Sequence, residues 1–261
     1  MKTTETLKNY LLFTDLDGTL LDHDNYSFDQ AKEMLTHIKE TKTPLIIVTS
    51  KTKDEVLELQ KKLNISYPFI IENGAGICIP DQEKLKIIPC GKVYAETLDI
   101  FNEFAKRFSM KGFHQMSDTE VAALTGLPLE KAILAKQRTF SEPFILDTTS
   151  DLKLLKQLAN ESGFDVVKGG RFYHLITKGQ DKANALLEVQ KYYEKIHNTS
   201  YRTIALGDGE NDITMLSTVD QGILIKKPDH TYVECEIENI IRSEYIGPQG
   251  WNESLKRFFK C

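Results

Sequence analysis

The chain has 261 residues, of which 33 are basic and 38 acidic, giving a formal net charge of −5. This balance argues against a nucleic-acid-binding protein, because binding to phosphate backbones needs clustered Lys and Arg. No apolar segment approaches the ~20 residues of a membrane span, and we find no secretory signal. The four cysteines are scattered, which favours reduced thiols over a disulfide framework or a zinc site. We therefore expect a cytoplasmic globular protein that contacts neither nucleic acid nor membrane.

The first predicted element is a buried strand at Leu11–Thr14, because continuous apolar runs are typical of parallel strands covered on both faces. Asp15 and Asp17 follow this strand, and Gly18 allows a sharp turn. Two acids at the end of a buried strand repel each other and lose hydration. They are tolerated best with a cation between them or with a shared proton. An acidic turn that caps the next helix would explain one of them but not both.

Helices and further strands follow in alternation. The pairs Ser27–Gln30 and Thr52–Glu55 are typical of capping boxes, and each predicts the start of a helix. The apolar runs Pro44–Val48 and Phe69–Ile71 predict buried strands. This alternation implies right-handed crossovers and a parallel sheet.

Polar residues stand at the end of each predicted strand. A parallel sheet binds its ligands at the carboxyl ends of its strands, so these residues should converge at one edge. They are Asp15, Asp17, Thr49, Ser50 and Asn73.

The pattern changes near Lys84, where helical stretches begin to alternate with short amphipathic strands. This block predicts an inserted α+β domain at residues 84–178. A long helix from Asp181 then returns the chain to the first pattern. The core domain is therefore predicted to comprise residues 1–83 and 179–261.

A second acidic cluster, Gly207–Asp212, follows the predicted strand Thr203–Leu206. Mg²⁺ prefers oxygen ligands in an octahedron, typically carboxylates, waters and a substrate phosphate. Asp15 and Asp208 would supply two ligands, and the backbone carbonyl of Asp17 a third. A helix N-cap is the alternative for Asp208 taken alone. The residues predicted to lie beside these ligands are Asn211 and Asp212.

The run Asp15–Leu21 after an apolar strand resembles the first motif of the haloacid dehalogenase superfamily, whose members are mostly phosphatases that work through a phospho-aspartate. The Thr-Ser pair after the second strand, the run Gly179–Leu186 and the cluster Gly207–Asp212 resemble its later motifs, in order. The insert resembles the α/β cap of the Cof-like branch. The resemblance implies an α/β fold with a Rossmann-like parallel-sheet core, an inserted α+β cap and a Mg²⁺-dependent phosphatase.

The resemblance assigns Asp15 as the nucleophile and Asp17 as the acid that protonates the leaving oxygen and later deprotonates water. Either Thr49 or Ser50 would donate a hydrogen bond to a phosphate oxygen. The chain departs from the branch pattern Thr-Gly-Arg at this point, because Lys51 stands where Arg is usual.

A Lys must balance the crowded negative charges of such a site. Lys178 and Lys182 are the candidates, and for either one alone a solvated surface residue is the alternative reading. Lys182 opens a helix after an Asp, as in the superfamily's third motif, and we therefore choose it. Ala183 stands where Gly is usual, which leaves this choice intact.

Three insert segments, Thr125–Ala132, Ala135–Pro143 and Gly169–His174, resemble those of the mannosyl-3-phosphoglycerate phosphatase family. The substrate implied is a small phosphorylated sugar or glycerate. Arg can bind a glycerate carboxylate bidentately, and a Glu side chain can accept hydrogen bonds from sugar hydroxyls. The alternative for each insert residue is an exposed charge or, for the histidine, a structural role. The insert candidates for substrate binding are Arg138, Glu142, Arg171 and His174, and the core candidates are Ser50, Asn73 and Asn211.

Three other functions remain open at this point. A phosphatase for another small sugar phosphate would share every core motif. A phosphomutase would share the first half-reaction but would have to exclude water. A non-enzymatic binding protein would tolerate loss of an acidic cluster or of the Lys, and neither is lost here.

Overall fold

The computed structural model describes residues 9–81, 84–238 and 240–259. Its elements, in chain order, are β1 (Tyr10–Thr14), α1 (Lys32–Glu40), β2 (Leu45–Val48), α2 (Lys53–Leu63), β3 (Phe69–Ile71), β4 (Gly76–Asp81), β5 (Lys84–Pro89), α3 (Tyr94–Ala105), β6 (Met110–Gly112), α4 (Asp118–Thr125), α5 (Leu129–Ala135), β7 (Glu142–Leu146), α6 (Leu152–Glu161), β8 (Phe164–Gly169), β9 (Phe172–Thr177), α7 (Lys182–His197), β10 (Arg202–Gly207), α8 (Ile213–Thr218), β11 (Gln221–Lys226), β12 (Ile241–Ile246) and α9 (Gly247–Leu255).

The larger sheet has the strand order β12-β11-β10-β1-β2-β3-β4-β5. The six strands from β12 to β3 are parallel, and β4 and β5 extend them as an antiparallel hairpin. The α1, α2 and α9 helices pack on one face, and α7 and α8 on the other. Coverage of both faces explains why the central strands are apolar throughout. The predicted α/β fold with a parallel core is therefore confirmed.

The position of β1 determines where a ligand can bind. It lies between β10 and β2, and Thr14 at its end pairs with Leu206 of β10. The chain runs outward from β1 in both directions of the sheet, which makes the carboxyl end of β1 a topological switch point. Ligands of open α/β sheets bind at such points.

The smaller sheet, β6-β7-β9-β8, is antiparallel and carries the residues between β5 and α7. Phe101 of α3 and Leu155 of α6 pack on one side of it, and the α4–α5 pair forms a second apolar cluster. This arrangement agrees with the predicted α+β character of the insert.

Two local expectations need correction. The predicted insert began at residue 84, but Lys84–Pro89 forms β5, which pairs with β4 in the larger sheet. The Ser27–Gln30 pair does not form a capping box: Ser27 Oγ accepts the N–H of Asp29, and a 3-10 turn precedes α1. The Thr52–Glu55 box is present at the start of α2. The edge strand β12 was not predicted.

Two further observations bear on the composition. Cys78, Cys90 and Cys235 are free thiols, and Cys261 lies outside the described residues. Within the described ranges, none of the helices combines the length and the apolar character that crossing a membrane would require.

Candidate active site

The two predicted acidic turns meet at the end of β1. Asp15 is almost fully buried, and its N–H donates to the carbonyl of Leu206 on β10 at 2.9 Å. Gly18 has φ +78°, and a Cβ at this position would lie 2.7 Å from Asp208 Oδ2. Glycine therefore permits both the backbone turn and its close approach to the second acidic cluster. Thr19 Oγ1 donates to Asp208 Oδ1 at 3.2 Å and joins the two turns directly.

Lys182 lies between the acids. Asp181 caps α7 by accepting the N–H of Asn184 at 2.7 Å, so α7 begins at Lys182. The Nζ atom of Lys182 lies 2.6 Å from Asp15 Oδ1 and 2.6 Å from Asp212 Oδ1. Burial by itself lowers the pKa of Lys182, but the two carboxylates outweigh this effect and leave the pKa raised. The ammonium is therefore charged at any working pH.

The alternative lysine lies elsewhere. Lys178 Nζ donates to Asn160 Oδ1 at 2.7 Å in an exposed position on the insert. The structure therefore brings Lys182, and not Lys178, to the acids.

Asp15, Asp208 and Asp212 form a compact acidic group, with one oxygen of each within 4.8 Å of the others. Burial is the main cause that raises the pKa of Asp15, and Asp212 and Asp208 raise it further against the opposing charge of Lys182. Burial and Asp212 raise the pKa of Asp208 to about 7. Two buried carboxylates and the half-buried one of Asp208, with one ammonium, leave excess negative charge, which a divalent cation would offset. The donor set, all carboxylate oxygens, suits Mg²⁺.

Asp17 contacts a different cation. Its Oδ2 lies 2.9 Å from Lys51 Nζ, and its Oδ1 is buried with no hydrogen-bond partner in the part of the chain that the structure describes. Lys51 also lies 3.7 Å from Glu55 and 5.2 Å from the centre of the Tyr26 ring. The Asp17 carboxylate is thus outside the acidic group. Its predicted role as a metal ligand was through the backbone carbonyl, and this stays a prediction.

Sequence reasoning did not assign a role to Lys51. The available signal was its position directly after Thr49 and Ser50, where the related pattern has Arg. A cation at the end of the strand beside β1 is well placed to pair with the second acid of the first turn.

Asn73 lies in the turn that follows β3, at the same edge of the sheet. Its N–H donates to the carbonyl of Thr49 at 2.9 Å, and its Oδ1 accepts from Asn211 Nδ2 at 3.0 Å. Asn73 has φ +59°, in the left-handed region that Asn tolerates better than most residues. Among the residues that the structure describes, none forms a hydrogen bond with the buried Nδ2 of Asn73.

A cavity of about 310 Å³ lies above these acids, between the core and the insert. Its size is at the lower end for small-molecule sites. Asp17 Oδ1, Asn73 Nδ2 and His174 Nδ1 are the buried side-chain atoms that lack partners in the described residues, and all three lie at or beside this cavity. Buried polar atoms are normally paired, so this concentration indicates a binding site for a polar ligand. The predicted site residues that line it are Asp15, Asp17, Ser50, Arg138, Arg171, His174, Asp208 and Asn211.

The predicted insert residues differ in their surroundings. Arg171 and His174 line the cavity, and Arg171 is exposed. Arg138 also lines it, but its guanidinium is bonded to the carbonyls of Ser50 and Ser141. Glu142 is fully buried away from the cavity.

Inside the insert, Glu142 accepts hydrogen bonds from the Tyr94 hydroxyl and from the backbone N–H and Nδ1 of His114. The structure therefore does not bring Glu142 to the cavity, because its acceptor oxygens are used within the insert.

His174 is held neutral. Burial is the main cause, and the charges of Arg138 and Lys182 act in the same direction, lowering its pKa from 6.5 to about 3. Below pH 6.5 the unfolded chain therefore binds more protons than the folded one, and the free energy of unfolding decreases as the pH is lowered. At pH 5 His174 lowers the free energy of unfolding by ~2 kcal/mol, taking ~1.4 kcal/mol per pKa unit.

When the pH is lowered from 7 to 5, we expect the free energy of unfolding of His174→Gln to decrease by ~2 kcal/mol less than that of the wild type. Denaturant unfolding at several pH values measures this difference. His230→Asn, which removes an exposed imidazole, is the control. Equal pH slopes for wild type and His174→Gln would contradict the prediction.

A sequence model of the sucrose-6F-phosphate phosphohydrolase family matches residues 8–258. The chain belongs to this family of phosphatases with the haloacid dehalogenase fold. It is accordingly a phosphoric monoester hydrolase, as the sequence predicted.

Two curated relatives are similar along the whole chain. A protein of Persephonella marina is 46% identical over 258 residues, covering 95% of this chain and 96% of the relative. A protein of Methanococcoides burtonii is 36% identical, covering 94% and 96% respectively. Both are named glucosyl-3-phosphoglycerate/mannosyl-3-phosphoglycerate phosphatase.

Among solved structures, a phosphatase of the haloalkanoate (HAD) enzyme superfamily from Bacteroides thetaiotaomicron superposes with a TM-score of 0.71 at 17% identity. The match covers 99% of this chain and 98% of that one. At this identity the likeness shows the fold alone. It agrees with the architecture predicted from the strand and motif order.

Proposed function

We propose that the protein hydrolyses mannosyl-3-phosphoglycerate or glucosyl-3-phosphoglycerate to the glycosylglycerate and phosphate. The observation that carries this proposal is the pairing of a phosphatase acid cluster with unpaired cations in the same cavity. Lys168, Arg171 and Lys227 line it and have no ion-pair partner among the described residues. The names of the two curated relatives support the same substrates.

The cations suit the second negative group of such a substrate. The phosphate would lie next to Asp15 and Lys182, on the buried side of the cavity. A glycerate carboxylate would then need positive charge further out, where Arg171 can bind it bidentately. Sequence reasoning named Arg171 but neither Lys227 nor Lys168, although Lys168 directly precedes the Gly169–His174 segment.

Asp15 would act as the nucleophile. Lys182 binds its Oδ1, so Oδ2 is the oxygen free to attack phosphorus. The new Oδ2–P bond forms as the bond from phosphorus to the glycerate oxygen breaks, and Asp17 gives that oxygen its proton. Asp17 then takes a proton from water, which attacks phosphorus, releases phosphate and restores Asp15. Lys182 holds the attacking carboxylate in place through both steps.

Asp15, Asp208 and Asp212, with the carbonyl of Asp17, are the residues that would hold Mg²⁺. When bound, the ion would neutralise charge on the phosphoryl oxygens and on the acids. Asp212 also stabilises the second acidic turn, because its Oδ2 accepts the backbone N–H groups of Asp208 and Gly209 at 3.1 and 2.9 Å.

Phosphate release from a substrate panel tests this function. The panel contains the two glycosyl-3-phosphoglycerates, sucrose 6F-phosphate, mannose 6-phosphate and 3-phosphoglycerate, each with Mg²⁺ present. We expect kcat/KM for a glycosyl-3-phosphoglycerate to exceed that for sucrose 6F-phosphate and mannose 6-phosphate at least ~100-fold, because these two compounds leave the carboxylate site empty. The rate with 3-phosphoglycerate, which has the carboxylate but no sugar, measures what the sugar contributes. Equal or faster turnover of sucrose 6F-phosphate would overturn the proposed substrate. Recovery of a phosphorylated isomer in place of free phosphate would indicate a phosphomutase.

We expect Mg²⁺ to stabilise the folded protein in the absence of substrate, because it relieves repulsion in the acidic group. At a concentration of 100 Kd the gain in free energy of unfolding is ~2.7 kcal/mol. Thermal melting with and without Mg²⁺ measures it. Asp208→Asn should lose most of the gain, whereas Glu188→Gln, which removes an exposed acid paired with Lys191, should keep it. An equal shift in both variants would place the ion elsewhere.

A further inference from the structure

The peptide between Ser50 and Lys51 connects the insert to the phosphate side of the core. Arg138 donates from Nη1 and Nη2 to the carbonyl of Ser50, both at 3.1 Å. On the other side of the same peptide, the Lys51 N–H donates to Thr49 Oγ1 at 3.2 Å. In a trans peptide the C=O and N–H point in opposite directions. The guanidinium therefore orients the N–H that holds the Thr49 hydroxyl.

This arrangement determines what the Thr49 hydroxyl can do. Its oxygen already accepts a hydrogen bond from Lys51, and its own proton has no acceptor among the described residues. Thr49 is buried at the carboxyl end of β2, the strand beside β1. A hydroxyl oriented in this way is prepared to donate to a phosphate oxygen. Hydrogen bonds in such a chain also strengthen one another.

Arg138 is itself held by a buried carboxylate of the core. Glu72 accepts the backbone N–H groups of Thr139, Phe140 and Ser141 at 2.8, 3.1 and 2.8 Å. Its Oε2 also accepts the Ser141 hydroxyl at 2.9 Å and lies 3.4 Å from Arg138 Nε. Glu72 thus fixes the insert segment that follows Arg138.

Arg138 has little capacity left for a ligand. Of its five N–H groups, four are used: Nε donates to the Ser141 carbonyl, Nη2 donates to Ser141 Oγ at 2.6 Å, and both terminal nitrogens donate to Ser50. A bidentate grip on a substrate carboxylate would require breaking these bonds in a buried environment.

We infer that Arg138 is a positioning residue: supplied by the insert and held by Glu72, it orients the 50–51 peptide and so prepares Thr49 to donate to the transferring phosphoryl group. This inference rests on the phosphatase reaction of the proposed function but not on the proposed substrate. It replaces the carboxylate-binding role that the sequence predicted for Arg138. The inference also implies that phosphoryl transfer requires contact between the insert and the core.

The test compares Arg138→Met and Arg138→Lys with the wild type on two substrates. Mannosyl-3-phosphoglycerate has a carboxylate, and p-nitrophenyl phosphate has none. We expect Arg138→Met to lower kcat roughly 10- to 100-fold on both substrates, with KM changed less than about threefold, because a transition-state contact is weakened. Arg138→Lys should recover part of kcat. Lys131→Gln, which removes a core–insert ion pair with Glu58, is the matched control and should leave kcat unchanged, because neither residue of this pair lines the cavity.

A double-mutant cycle with Thr49→Val identifies the residue through which Arg138 acts. If the inference holds, Arg138→Met combined with Thr49→Val is no slower than Thr49→Val alone. The inference would be overturned if the losses of kcat in the two single variants multiplied in the double variant. An effect of Arg138→Met confined to KM for mannosyl-3-phosphoglycerate would also overturn it. Since p-nitrophenyl phosphate reports on the site directly, rejection of mannosyl-3-phosphoglycerate by the wild type would refute the substrate and not this inference. Should Arg138→Met fail to fold, Arg138→Lys carries the same cycle.

Discussion

Asp15→Asn should reduce phosphatase activity about 10⁵-fold or more while leaving the fold intact. The substitution keeps the shape of the side chain but removes the oxygen nucleophile, and covalent catalysis has no substitute for it. Because Asn is nearly the same size as Asp, the packing around β1 is kept, and the substitution also removes one charge from a group of three carboxylates that repel each other. Steady-state phosphate release, circular dichroism and thermal melting together measure both parts of the expectation.

The matched control is Asp29→Asn, which removes an exposed acid paired with Lys32 and should leave kcat unchanged. Rapid quenching adds a direct readout, because the wild type should carry a transient acid-stable phosphate on the protein and Asp15→Asn should carry none. Activity within about 100-fold of the wild type, with a folded variant, would remove Asp15 from the nucleophile role.

Lys182→Met should have the second largest effect, on both catalysis and stability. Loss of the ammonium leaves Asp15 and Asp212 without their shared partner at 2.6 Å. Breaking a buried ion pair costs about 3–5 kcal/mol, and the loss of charge compensation should lower kcat about 10³-fold. The free energy of unfolding and kcat are the quantities to measure.

The stability loss should depend on pH in a defined direction. Without Lys182 the folded-state pKa of Asp15, already raised by burial, rises further above its unfolded value of 3.8. The folded variant then binds more protons than the unfolded chain, so its stability decreases as pH rises through this interval. The deficit relative to wild type should therefore be small in acid and complete at alkaline pH. Mg²⁺ should reduce this stability deficit, and Lys182→Arg, which keeps the charge, should have a smaller deficit than Lys182→Met. A deficit that is absent at every pH would contradict the buried pairing.

Much of the core was predictable because the evidence is local. An apolar run that ends in Asp15 and Asp17 indicates a buried strand and its acidic turn without reference to any other part of the chain. The same holds for the strand before Asp208 and for the helix that starts at Lys182 after its Asp181 cap. The order of these segments then implied a parallel sheet, and a parallel sheet brings the carboxyl ends of its strands together.

The insert was predicted less well because its side chains depend on distant partners. Arg138 and Glu142 are polar residues near family-like motifs, and nothing in their neighbourhood distinguishes a ligand contact from a structural one. In the fold, Arg138 bonds to Ser50, 88 positions away, and Glu142 accepts from Tyr94, 48 positions away. Glu72, which anchors the insert, carries no motif at all.

By itself, the sequence determined the strands β1, β2, β3 and β10, the acidic turns, the choice of a phosphatase and the lysine that opens α7, because each of these follows from short-range pattern and chain order. Only the tertiary structure decided that β5 extends the core sheet, that Lys51 pairs with Asp17, and that Arg138 supports the core instead of standing free. The physical reason is that a charged side chain in a cavity takes whichever partner the folded backbone brings within about 3 Å, and that partner is not encoded next to it.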